Sequence, residues 1–160
     1  MYTQQDYLNN RAQLKRRLIA VSLPVAVFIA GIVVTLMVRT KDFSLEWLTS
    51  LLTILGGGLC IFCYSMYIGP VIAYGRHLTY ILEGRLREAT GYLVSFEEDT
   101  VIRDGVEYHA MMVNVGERND EEDNRLFYYD ANREWGNIPI GGRVHVVAHD
   151  KAVATINIVN

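Results

Sequence analysis

Residues 18–38 read LIAVSLPVAVFIAGIVVTLMV and residues 48–74 read LTSLLTILGGGLCIFCYSMYIGPVIAY, two stretches without a charged side chain in a chain of 160 residues. At a rise of about 1.5 Å per residue, about 21 residues cover the ~30 Å hydrocarbon thickness of a bilayer. The second stretch is longer. It is edged by Trp47 on one side and by Tyr64, Tyr67 and Tyr74 toward the other, aromatics that settle at headgroup level. Both stretches read as membrane spans. A cleaved secretory signal also places basic residues before an apolar run, but its core has roughly 7–15 residues and ends at a small-residue cleavage site. Here the run is longer and exits into Val38-Arg39-Thr40-Lys41.

The basic residues close to the spans set the orientation. Arg11, Lys15, Arg16 and Arg17 precede the first span and Arg76, Arg85 and Arg87 come after the second, against Arg39 and Lys41 in the connector. This predicts a multi-pass protein of the cytoplasmic membrane with both termini cytosolic and the connector Arg39 to Glu46 as a tight extracytosolic turn. Residues 1–17 read as a cytosolic, interfacial helical arm whose basic end fixes topology and can meet anionic headgroups.

In lipid, helices associate through close backbone approach, so small residues at four-residue spacing mark contact faces. Ser65, Gly69 and Ala73 have that spacing, Gly56, Gly57 and Gly58 remove side chains near mid-span, and Ala26, Ala30 and Gly31 lie in the first span. They pack the two spans of one chain into a hairpin (residues 18–74), or pack chains into a homo-oligomer; both readings stay open. Pro24 and Pro70 are expected to bend their helices. The absence of charge from both spans argues against an ion or proton path through a monomer.

After Tyr74, Leu78, Ile81, Leu82 and Leu86 keep a helical stripe, which predicts a helical linker over 75–90 that holds the next domain at a set distance from the membrane. From Gly91 the period becomes two. Asp104-Gly105 between apolar alternations is a hairpin signal, and Val144, Val146 and Ala148, a turn at Lys151, then Ala154, Ile156 and Ile158 predict a second hairpin. Residues 125–129 supply another strand, and the switch of apolar parity between Met112 and Val113 suggests a bulge in that strand. The fold class expected is α+β: a two-helix transmembrane hairpin followed, over 91–160, by a small five-stranded barrel of OB or SH3 type.

That segment carries 13 acidic and 6 basic side chains, a net of −7. A charge of this sign repels phosphates and argues against nucleic acid, although OB-type barrels often bind single strands. The densest acidic run, Glu117 to Asn124, reads as a solvated loop. It has no central glycine and lacks the alternating ligands of an EF-hand loop. His145 and His149 on one strand stand about 13 Å apart, too far for one metal. Cys60-x-x-Cys63 matches the spacing of thiol-redox and zinc sites, but it lies mid-span, where low dielectric disfavours a thiolate and no His, Asp or Glu completes a ligand set. No metal, no cofactor and no catalytic constellation are expected.

The arrangement of spans followed by a small barrel resembles the NfeD-like proteins of bacteria, whose OB-type domain is associated with stomatin-like membrane scaffolds. The stretch Gly91-Tyr-Leu-Val, Tyr108-His-Ala-Met-Met-Val-Asn-Val, Ile140-Gly-Gly-Arg-Val-His-Val-Val and Ala154-Thr-Ile is also similar to a family of bacterial membrane-anchored β domains. It departs from that family at Asp150-Lys151, where the family usually has Asp-Pro. The resemblance covers about the last 70 residues and implies a fold without a reaction.

The function expected is therefore non-enzymatic: a membrane-anchored interaction or scaffold module that recruits a protein partner. Asp120, Glu121, Glu122 and Asp123, with Tyr128, Tyr129 and Trp135, are the expected contacts. The alternatives are a subunit of an oligomeric channel or transporter accessory complex built on the glycine-rich second span, and a membrane thiol-redox protein using Cys60 and Cys63.

Overall fold

A computed structural model describes residues 2–38, 46–117, 120–136 and 138–159. The connector expected to form the extracytosolic turn, and Arg118 and Asn119 of the acidic run, lie outside the described residues. The chain divides into two compact units, one of Asn9–Ile72 and one of Met1–Leu8 with Ala73–Asn160.

The first unit is helical. Helix α1 (Gln4–Val38) and helix α2 (Glu46–Cys63), the latter continued by a π-helical turn Tyr64–Ile68 into α3 (Gly69–Glu83), are both long and apolar enough to cross a membrane. Their contacts run antiparallel. Asn10 Nδ2 donates to the Val71 carbonyl at 3.1 Å, Arg17 Nη1 to the Tyr67 carbonyl at 2.7 Å, and Thr49 Oγ1 to Thr35 Oγ1 at 3.3 Å. Positions advance along α1 as they retreat along α2 and the π turn, which is a hairpin. Arg17, read as a topology determinant, thus also ties the helix pair together.

The small residues divide. A Cβ at Gly56 would meet Phe28 at 3.3 Å, so this glycine admits the facing ring, whereas Gly57 and Gly58 have open space around them and Ser65 is exposed. The π turn contains Ser65 and ends directly before Gly69, and it spends more residues per turn than an α-helix. It ends just before Pro70, whose missing N–H disturbs the same ladder. The arm expected to turn before entering the span is instead the first part of α1, which runs uninterrupted from Gln4.

The second unit holds a five-stranded mixed sheet: β1 (Arg87–Arg103), β2 (Val106–Asn114), β3 (Asn124–Asp130), β4 (Arg143–His149) and β5 (Ala152–Ile158). The strands pair in the closed order β1-β2-β3-β5-β4, with β4 back against β1. All pairings are antiparallel except β3 with β5. Two-residue turns join β1 to β2 and β4 to β5. Asp104 and Gly105 both take positive φ, 52° and 79°, as a type I′ turn requires, and Asp150 takes 54°.

Alternation fills the interior. Leu93, Met111, Val113, Val144 and Val146 are fully buried and form one core with Phe127, Ile138, Ala148 and Val153. Three sequence expectations need correction here. Strand β1 begins at Arg87, so the helical linker ends at Glu83 and its Leu78 and Ile81 pack with Tyr2 and Ala154 as a second core rather than standing free as a spacer. The bulges sit in β1, at Leu93/Ser95 and Phe96/Thr100, and not in β2. The parity switch in β2 is present, at Ala110 to Met111, but β1 supplies the extra residues because exposed Glu97, Glu98 and Asp99 cost little to leave unpaired. In β5, Val153 enters the core while Ile158 is exposed; a register shift beside Val147/Ala148 moves the pattern by one.

Candidate functional site

In the sequence Asp130 is one acid among many, yet it is the best-buried of them. At the end of β3 its side chain is 1% exposed and accepts from four donors. Tyr2 Oη and Tyr74 Oη donate to Oδ2 at 3.0 and 2.9 Å, while the backbone N–H and the Nδ2 of Asn132 donate to Oδ1 at 2.9 and 3.0 Å. The network continues through His77, whose Nε2 lies 3.2 Å from Tyr2 Oη and whose Nδ1 lies 2.9 Å from Tyr108 Oη. Burial holds His77 below its usual pKa, and so neutral. A single tautomer then satisfies every group: Tyr108 donates to Nδ1, Nε2–H donates to Tyr2, and Tyr2 donates to Asp130. Burial also pushes the Tyr108 phenol up to about 12, which keeps it a donor. Arg133 closes the cluster, 2.8 Å from Asp6 Oδ2 and 4.4 Å above the Tyr2 ring. These groups fasten the N-terminal residues and α3 onto β2 and β3. Each group is engaged by another of the cluster, an arrangement that acts as a clamp.

The expected contact residues fall in three places. Tyr129 and Trp135 form an aromatic cluster with Phe96, the Phe96 and Trp135 rings stacked at 4.0 Å and Tyr129 edge-on to Trp135 at 5.1 Å. All three are half-buried against the core, and Tyr129 Oη is engaged by the Glu134 carbonyl at 2.7 Å. Tyr128, its neighbour in the strand, points to the opposite face as strand geometry demands, under the Arg103 guanidinium at 4.9 Å. Asp120 to Asp123 form a short 3₁₀ turn over 121–123 that Asp120 caps by accepting from the Glu122 N–H at 3.0 Å.

Beside this turn lies a feature the sequence does not announce. Tyr92, Val94, Asn114, Asp120, Glu121 and Ile140 line a cleft of about 360 Å³. Val94 and Ile140 are exposed, the latter 71%. Asn114, only 3% exposed, donates through Nδ2 to the Asp120 carbonyl and to Asn124 Oδ1, which fixes its amide orientation. Its Oδ1 is left buried and without a partner among the described residues. A buried acceptor in this state carries a desolvation cost of about 1–3 kcal/mol until a donor reaches it. The cleft thus combines an apolar wall with two carboxylates on the rim.

Cys60 is exposed and Cys63 buried, both free, within the continuous helix Glu46–Glu83. No group of three or more metal-ligating side chains occurs among the described residues. In comparisons with known proteins, no family model, no curated protein and no solved structure matches this chain.

Proposed function

We propose that this protein is a membrane-anchored interaction module: α1 and the α2–α3 helix span the cytoplasmic membrane, both termini face the cytosol, and the β domain recruits a protein partner there. The anchor is supported by the helices' own surface. Met37, Leu23, Ile54 and Ile61 are 71–82% exposed, and an apolar face of this extent needs lipid or protein around it. The β domain is of OB type. Strands β4-β1-β2-β3 lie in Greek-key order, and β5 closes the ring as in a five-stranded Greek-key barrel.

The observation that carries the recruiting role is the cleft that sets exposed Val94 and Ile140 beside the carboxylates of Asp120 and Glu121. Such a cleft selects a segment that brings an apolar side chain to Val94 and Ile140 and a Lys or Arg to the rim. The domain's charge of −7 favours a basic partner and steers its approach. A photo-crosslinking residue at position 121 of the full chain in native membranes tests this. Expected is an adduct to one partner through a basic segment, lost when Asp120→Asn and Asn114→Leu are added. An adduct that persists through both changes contradicts the cleft.

A second reading is favoured by Gly57 and Gly58, whose backbones meet nothing of their own chain and leave a smooth strip for another helix. Through it copies of the chain assemble, as a channel or transporter accessory subunit requires. Native mass spectrometry in detergent separates the readings, since a strictly monomeric protein excludes the second.

A further inference from the structure

The same unit holds a second cavity of opposite character, about 330 Å³, formed where residues 73–81 of α3 meet the β1–β2 turn and the β4–β5 turn. Its cations are Arg76, Arg103 and Lys151 and its carboxylates are Asp104 and Asp150. Arg103 answers both carboxylates, with Nε 3.8 Å from Asp104 Oδ2 and Nη2 3.7 Å from Asp150 Oδ2. Arg76 and Lys151 have no carboxylate partner among the described residues. In a domain this acidic, three cations against two carboxylates on one cavity, a net of +1, are a local inversion of charge. The wall is also rigid, because a Cβ on Gly105 would stand 2.8 Å from that of Ala73, so the β1–β2 turn is seated directly on α3.

We infer that this cavity binds a phosphate-bearing anion, for which the anionic headgroup of a membrane lipid is the favoured source. Arginine offers a planar fork to phosphate oxygens and lysine a mobile point charge, a pairing suited to a phosphodiester. The position of Arg76 in the chain points to that source. Helix α3 runs unbroken from Gly69 to Glu83 and the uncharged stretch ends at Tyr74, so Arg76 sits two residues, about 3 Å, beyond the hydrocarbon segment, at phosphate depth. The lipid source rests on the bilayer reading; the cavity's preference for phosphate does not.

The test uses the full chain in detergent with phosphatidylglycerol or phosphatidylcholine added, bound lipid being read by native mass spectrometry, and a parallel calorimetric titration with inorganic phosphate. The variant is Arg76→Gln with Lys151→Gln, both exposed positions, and the control Arg125→Gln with Arg143→Gln removes equal charge from the same domain outside the cavity. Wild type and control are expected to retain phosphatidylglycerol over phosphatidylcholine, and the variant to bind it about 30-fold more weakly, on the scale of two basic side chains near an anionic surface. Phosphate binding that depends on Arg76 and Lys151 without lipid retention supports the cavity, assigns a soluble source and counts against the bilayer reading. Equal behaviour of wild type, variant and control in both arms overturns the proposal.

Discussion

Asp130 shows how a residue's weight in the fold is set by the groups that reach it. Replacing it with Ala strands the Tyr2 and Tyr74 hydroxyls in a buried site, and a loss of about 3 kcal/mol is expected. The unfolding midpoint measured by circular dichroism then falls by on the order of 10 °C. Tyr2→Phe removes one donor and costs about 1–2 kcal/mol in the same assay. Asn132, two residues on, marks a local turn, but the sequence does not reveal the rest, because Tyr2 and Tyr74 lie far away in the chain and Tyr74 sits at the edge of an apparent membrane segment. Gly91 is similar. It reads as the point where strand periodicity starts, yet it is a crossing point, where an added Cβ would run into the Asn114 carbonyl. Gly91→Ala is expected to cost about 2 kcal/mol by forcing β1 and β2 apart. Asn114 in turn reads as part of a strand, and only the two acceptors that take its Nδ2 hydrogens show that its oxygen is left over.

Among the elements, those written in local chemistry were legible. Asp104-Gly105 marked its hairpin because a type I′ turn needs positive φ at both positions, which Asp and Gly tolerate, and the alternation of Val144, Val146 and Ala148 marked β4 because those three side chains enter the core. Boundaries set by tertiary packing were not. The stripe Leu78, Ile81, Leu82 is equally a free helix and a packed one until the surface of β5 is known, and strand pairing claims Arg87 to Thr90 from the helix. The contact between the N-terminal residues and the sheet is sensitive to acid. Neutral His77 has a folded pKa below its unfolded value, so its contribution is complete above pH ~6.5 and is lost as pH falls through that range. Asp6, held below the usual carboxylate range by its hydrogen bond from Arg133, loses its contribution at lower pH, as it protonates. Amide protection at residues 2–8, relative to the intrinsic exchange rate at each pH, is therefore expected to fall below pH 6 while the sheet stays protected. Equal loss of protection in β2 and β4 would instead mean global unfolding. His77→Gln should flatten the higher-pH part of that response.

For the whole molecule, two uncharged runs in the sequence announce two long helices, because 51% hydrophobic content concentrated in two places leaves few other structures. Their antiparallel pairing is legible too, but its details are not, since the π turn before Pro70 spends more residues per turn in a way that no spacing rule records. The acid-rimmed cleft and the cationic cavity are invisible in the sequence for a common reason: each is assembled from segments distant in the chain. If the cysteines are packing residues, Cys60→Ala with Cys63→Ala should leave thermal stability within about 1 kcal/mol and the crosslink from position 121 unchanged; loss of the crosslink on reduction of wild type would revive a thiol role. A recruiting role for the β domain depends on which side of the membrane it occupies. The most direct measurement places a single cysteine at Glu121→Cys in the Cys60→Ala, Cys63→Ala background and labels cells with a membrane-impermeant maleimide. Labelling only after permeabilisation is predicted, and labelling of intact cells would contradict a cytosolic recruiting module.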